Sequence, residues 1–158
     1  MAAGTTAAQP DTAKAACQDQ KQLMGTLVFK KTYGVKSTAK AMAACIAKAQ
    51  PVVAAATENA AKTCKAERDA NADAFNEKYG TNKNKKNAFG KCVSTTAKAA
   101  VEAETEALVE AAATCKTERD ADADAFKEKY GTNKNKKNAF GKCVSALAKA
   151  QNDDGDDA

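Results

Sequence analysis

The sequence predicts an all-α protein made of three tandem antiparallel helical hairpins, each closed by one disulfide, that share long central helices. Three observations lead to this prediction: a unit that occurs three times, a constant spacing of its two cysteines, and an abundance of alanine. Alanine accounts for 39 of the 158 residues, and it is the strongest intrinsic helix former because it loses no side-chain entropy on folding.

The repeated unit is clearest in residues 64–94 and 115–145, which are identical at 28 of 31 positions. A diverged copy lies between Cys17 and Cys45, and all three copies contain Phe-x-x-x-Tyr-Gly. Self-similarity at a fixed period is typical of repeat proteins. Because the two cysteines are 28 positions apart in every copy, we expect the disulfides Cys17–Cys45, Cys64–Cys92 and Cys115–Cys143.

Each unit is expected to form a helix, a turn and a second helix. Gly80 is predicted to end the first helix in the left-handed conformation, and Asn82 or Asn84 to cap the second. The 16 residues from Cys64 to Gly80 would cover about 24 Å as a helix, and the loop and helix leading to Cys92 about 25 Å. The two sulfurs would then lie side by side, as a disulfide requires.

Between the units the chain is expected to stay helical, which gives about four helices. Pro51 lacks an amide hydrogen and is predicted to kink or break the second helix near Gln50, which would permit a more compact stack. The predicted helices cover residues 11–32, 37–78, 84–129 and 136–151. The predicted organisation is a disordered segment 1–10, one helical domain 11–151 and an acidic disordered tail 152–158. The units within the domain are 17–45, 64–92 and 115–143. The negative charge of the tail would attract it to the lysine-rich turns.

The composition predicts a thin hydrophobic core that depends on its disulfides. Leu, Ile, Val and Phe together contribute 18 residues, and there is no Trp. Disulfides persist in oxidising compartments, so we expect a secreted or cell-envelope protein whose signal sequence has been removed. A cytosolic protein with six free thiols is the alternative. No apolar run approaches the roughly 20 residues that a membrane-spanning helix needs.

The pattern F-x-x-x-YGTN-x-N-K-x-NAFGKCVS, flanked by paired cysteines, resembles a repeat of uncharacterised secreted proteins of high-GC actinobacteria. The resemblance covers residues 64–94 and 115–145 closely, and residues 17–45 only through the cysteines and Phe29-x-x-x-Tyr33-Gly34. It implies a secreted helical repeat and carries no activity with it.

Enzymatic, metal and cofactor functions find little support in the sequence. There is no His, so a Ser or Cys nucleophile would lack its commonest base, and the cysteines are too widely spaced for a zinc or iron–sulfur site. Asp120, Asp122 and Asp124 resemble the start of a calcium loop, but the required Gly and Glu positions are occupied by Ala125 and Gly131. We therefore expect a non-enzymatic structural or binding protein without a cofactor.

Lysine-rich turns are the candidate binding site. The candidate anion-binding residues are Lys83, Lys85 and Lys86 in one turn and Lys134, Lys136 and Lys137 in another. Clustered lysines attract nucleic acid or another anionic polymer, for example a cell-envelope component, through counterion release. A solvated loop without a ligand is the competing interpretation, since the chain has only two arginines, Arg68 and Arg119, and arginine is the usual residue for bidentate phosphate contacts.

Overall fold

The structure, a computed structural model, describes residues 10–153 and confirms the all-α class. Within that range there are seven helices and no strand, and all six cysteines are paired in disulfides. The helices are α1 (Pro10–Met24), α2 (Thr26–Thr32), α3 (Thr38–Ala70), α4 (Ala72–Tyr79), α5 (Ala88–Ala121), α6 (Ala123–Tyr130) and α7 (Ala139–Asp153).

The predicted number of four helices is wrong, because three of those helices are each interrupted once. The interruptions fall at Gly25, Asn71 and Asp122, which are the N-caps of α2, α4 and α6. The Asn71 side chain accepts a hydrogen bond from the Ala74 amide at 3.0 Å, and that of Asp122 accepts two, at 2.9 and 3.1 Å. Asn and Asp are preferred N-caps because they bond free amides, and this local bond replaces continued helix.

Of the two outcomes predicted at Pro51, a kink or a break, the break does not occur. Helix α3 continues from Thr38 to Ala70 with Pro51 inside it. Ala49 and Val53, on either side of the proline, belong to one apolar cluster with residues of α1 and α5. These tertiary contacts hold both halves of α3 on the same packing surface and outweigh the lost hydrogen bond.

The three disulfides join the cysteines in the pairs that the spacing predicts. Cys17–Cys45 links α1 to α3, Cys64–Cys92 links α3 to α5, and Cys115–Cys143 links α5 to α7. The Cα atoms of each pair are 5.9 to 6.0 Å apart. All six cysteines are buried, and each pair packs against the Phe of its own unit: Phe29, Phe75 or Phe126.

The bundle is organised around α5, which contacts each of the other six helices. Helix α1 packs on α3 and α5, and α7 packs on α5 and α6. A further contact joins the first unit to the third, because α2 packs against α7. At this crossing a Cβ atom on Gly141 would lie 2.7 Å from the Thr32 carbonyl oxygen, so only glycine permits the approach.

The turns between the hairpin arms lie at the two ends of the bundle. Turn 1 (33–37) and turn 3 (131–138) share one end because of the α2–α7 contact, and turn 2 (80–87) lies at the far end of α3. The 33 residues of α3 separate the two ends by about 50 Å.

The predicted terminal segments lie mostly outside the described residues. Helix α1 begins at Pro10, the last residue of the segment predicted to be disordered, and α7 extends to Asp153, two residues into the predicted tail. Residues 1–9 and 154–158 are outside the range that the structure describes.

Candidate functional site

A tyrosine in each unit is anchored to the residue three positions after the first cysteine. The Tyr79 hydroxyl donates to Glu67 Oε2 and the Tyr130 hydroxyl to Glu118 Oε2, both at 2.9 Å. In the first unit the Tyr33 hydroxyl donates to Gln20 Oε1 at 2.7 Å. In all three cases the bond ties the C-terminal end of a short helix to the longer helix before it.

The charged members of this anchor neutralise each other. The Glu67 carboxylate also accepts from Lys78 Nζ and the Glu118 carboxylate from Lys129 Nζ, both at 2.7 Å. The bonds from the lysines lower the pKa of both glutamates and raise the pKa of Lys78 and Lys129. Burial raises the pKa of Tyr33 to about 12. Each carboxylate is therefore held in its charged form by its own partners, which suits a structural role.

The Thr-Asn-Lys-Asn-Lys-Lys-Asn segment of turn 2 is held by its own hydrogen bonds. Asn87 Oδ1 accepts from the amides of Thr81 and Asn82 at 3.1 and 3.3 Å, and Asn87 Nδ2 donates to Thr81 Oγ1 at 2.6 Å. Asn84 Oδ1 accepts from the Lys86 amide at 3.2 Å. Turn 3 has the same set of bonds. The segment thus has a structural reason to be the same in both units.

The predicted caps of this turn need correction. The residue at the N-cap of α5 is Asn87, without a side-chain capping bond, and neither Asn82 nor Asn84. Gly80 does end α4, but its φ of −74° is not left-handed. Glycine is required there because a Cβ atom would lie 2.5 Å from the Asn76 carbonyl oxygen and 2.6 Å from Lys85 Cδ. The left-handed residue of the turn is Lys85, with a φ of 56°.

The six lysines predicted to bind anions divide into two groups. Lys85 and Lys136 fold back over the turn, and Lys85 Nζ donates to the Gly80 carbonyl at 3.2 Å. They also pair with Glu77 and Glu128, at 3.5 and 2.8 Å. Both lysines are therefore partly buried and already paired with a carboxylate. The other four are exposed and form no ion pair in the described part of the chain: Lys83, Lys86, Lys134 and Lys137.

The α2–α7 contact brings lysines of the first and third units to one end of the bundle. No Asp or Glu occurs from Gln20 to Thr57 or from Lys129 to Asn152. We call the following seven lysines, none of which forms an ion pair within residues 10–153, the basic end: Lys30, Lys31, Lys36, Lys40, Lys134, Lys137 and Lys142. All but Lys30 are exposed.

The aspartates that resemble a calcium loop serve other purposes. Asp122 is the N-cap of α6. Asp120 pairs with Lys116 at 2.8 Å and Arg119 at 2.7 Å, and the hydrogen bonds from Lys116 and then Arg119 lower its pKa to about 2. Asp124 pairs with Lys127 at 2.8 Å. No group of three potential ligands that could hold a metal ion occurs in the described chain.

Comparison with known proteins adds no functional information. None of the helices in residues 10–153 is long and apolar enough to cross a membrane. No protein-family model, no curated protein and no solved structure matches the chain.

Proposed function

We propose that the chain is a non-enzymatic, disulfide-stapled helical repeat protein of the secreted or cell-envelope type, and that it binds anionic polymers through its basic end. The observation that carries the proposal is a set of seven lysines, on a surface assembled from two units, that form no ion pair with any residue from 10 to 153. Elsewhere on the molecule some lysines of the longer helices pair with carboxylates one turn away, as Lys62 does with Glu58 and Lys116 with Asp120.

The chemistry of the basic end favours a ligand with many negative charges and no particular sequence. A lysine ammonium is a flexible point charge that neutralises phosphate or sulfate without reading its geometry. Both arginines are engaged within the fold, because Arg68 stacks on Phe89 at 5.1 Å and Arg119 stacks on Phe140 at 5.2 Å. Binding should therefore depend on counterion release and weaken steeply with salt.

Three disulfides in 158 residues support the extracellular part of the proposal. Bonds of this kind persist where no reducing system acts on them. They also keep an alanine-rich chain folded, so that its ends are presented at a fixed distance from each other.

A heparin column tests the anion proposal with a matched pair of variants. Turns 2 and 3 have the same sequence and the same internal hydrogen bonds, so Lys134→Gln/Lys137→Gln and Lys83→Gln/Lys86→Gln make an identical local change. Only turn 3 has the lysines of the first unit as neighbours. We expect the wild-type protein to be retained at low salt, and Lys134→Gln/Lys137→Gln to lower the eluting salt concentration more than its counterpart.

Two results would contradict this proposal. Wild-type protein that passes through the column at low salt would exclude anion binding. Equal losses for the two variants would show that each turn binds by itself and that the combined surface has no special role.

Lys83 and Lys86 suggest a second candidate, the bridging of two anionic surfaces. They are exposed at the end opposite to the basic end and form no ion pair with any described residue. A protein with a weaker and a stronger basic end would aggregate polyanion-coated beads, and Lys83→Gln/Lys86→Gln would abolish aggregation while binding to single beads persists. Equal aggregation by wild type and variant would refute bridging.

A further inference from the structure

An open groove of about 800 Å³ runs between α1 and α5, with α3 beneath it. Its apolar floor includes Ala16, Val53, Ala97 and Val101. Along α1 the groove extends from Thr12 to Leu23, which corresponds to about 16 Å. This volume falls in the range of small-molecule sites, roughly 300 to 1,000 Å³.

One large apolar side chain, that of Leu23, is exposed at this groove. The sequence contains four leucines, and two of them are exposed: Leu23, which lines the groove, to 62% and Leu27 to 72%. A protein so poor in large apolar residues would gain stability by burying them. An apolar ligand that lies along the groove would cover Leu23 and remove this cost.

The rim of the groove carries negative charge although the protein as a whole is basic. Asp19 on α1 and Glu106 on α5 stand on its two sides, both exposed and both without an ion pair within the described chain. Glu102 shares the rim with Lys98, and these two pair with each other at 3.5 Å. Within residues 10–153 the rim therefore has two carboxylates without an ion pair, and it is negatively charged although the net charge of the chain is +5.

From this juxtaposition we propose that the α1–α5 groove binds small cationic amphiphiles: an alkyl chain lies on the apolar floor and a cationic head group meets Asp19 and Glu106. An anionic amphiphile of the same length would fill the floor equally well but would face the two carboxylates. The groove therefore attracts cationic ligands, whereas the basic end attracts anionic ones.

The test compares dodecyltrimethylammonium with dodecyl sulfate by isothermal titration calorimetry, each kept below its micelle-forming concentration. We expect the cation to bind wild-type protein with a stoichiometry of one. Asp19→Asn/Glu106→Gln should weaken that binding by about tenfold, as expected for the loss of two partly solvated charge pairs. Ala15→Leu, at an exposed position that lines the groove, should fill part of the groove and abolish binding.

Ala99→Leu is the matched control, because Ala99 is exposed on α5 and does not line the groove. It should bind the cation as wild type does, with circular dichroism showing the same helix content for all variants. Failure of wild type to bind the cation, or binding unchanged by Ala15→Leu, would overturn the proposal. Asp19→Asn/Glu106→Gln should leave heparin retention unaffected, and Lys134→Gln/Lys137→Gln should leave cation binding unaffected. The groove and the basic end are thus tested independently.

Discussion

Two equivalent glycines offer a direct test of how the first unit packs on the third. Gly90 in α5 and Gly141 in α7 occupy the same position of nearly identical repeats. A Cβ atom on Gly90 would meet no other atom within 4 Å, whereas one on Gly141 would lie 2.7 Å from the Thr32 carbonyl oxygen. The same substitution by alanine should therefore have opposite effects on stability.

The magnitudes follow from helix propensity and from the contact. Gly90→Ala should raise the free energy of unfolding by about 0.5–1 kcal/mol, because alanine loses less backbone entropy in a helix. Gly141→Ala brings the same gain but forces α2 away from α7, and such overpacking costs about 1–3 kcal/mol. The net effect of Gly141→Ala should be destabilising, and the two variants should differ by about the full cost of the clash.

Urea unfolding of the oxidised proteins, followed by circular dichroism at 222 nm, measures both variants under the same conditions. If Gly141→Ala were as stable as Gly90→Ala, the close approach of Thr32 to α7 would be wrong, and with it the joining of units one and three into one basic end. Gly141→Ala should also elute from heparin at lower salt than Gly90→Ala, since displacement of α2 moves Lys30 and Lys31 away from turn 3.

Further predictions concern the staples, the caps and the polar anchor. Removing one disulfide by Cys64→Ser/Cys92→Ser should lower the free energy of unfolding by about 3–4 kcal/mol in the chain-entropy model. The amides of α4 should become open to hydrogen exchange first, because α4 contacts only α3 and α5 among the described helices. A melting midpoint that moves by only a degree or two would show that alanine packing stabilises the fold without this disulfide. Asn71→Ala should cost about 1 kcal/mol in urea unfolding through the lost cap, whereas Asn71→Asp should be neutral because Asp122 caps the same position; equal losses would refute the capping role. The pKa values of Glu67 and Glu118 are lowered in the folded protein, first by the hydrogen bonds from Lys78 and Lys129, so their stabilisation is present above the ordinary glutamate pKa of about 4.3 and is lost as the pH falls through the lowered values. Melting temperatures should decline over that acidic range, and Glu67→Gln/Glu118→Gln should flatten the decline; an unchanged profile would contradict the assignment.

The sequence predicted the repeat, the cysteine pairs and the helical class because each depends on local spacing. Breaks at Asn71 and Asp122 were missed, since an alanine-rich stretch of polar residues has high helix propensity on both sides of a cap. Gly25 at the equivalent position of the first unit was the available signal: it lies four residues before Phe29, as Asn71 does before Phe75.

The division of the candidate lysines into a partly buried, paired group and an exposed, unpaired group could not be predicted from the sequence. Lys85 and Lys136 turn inward because each adopts a left-handed backbone, with φ of 56° and 54°, and a lysine gives no sign of this conformation in a sequence. Contact between α2 and α7, which assembles the basic end, joins segments about 110 residues apart in the chain and depends on the tertiary arrangement. Spacing alone could indicate which turns share an end, but not that their helices touch.

The alternation of the turns has a consequence that goes beyond any single residue. Every hairpin reverses the chain, so odd-numbered units face one way and even-numbered units the other. Three units therefore place two turns at one end of the molecule and one turn at the other, because the number of units is odd. Deleting or duplicating one 51-residue period, such as residues 64–114, would leave equal numbers of turns at the two ends without altering the sequence of any remaining turn. The difference between the ends is therefore set by the number of repeats.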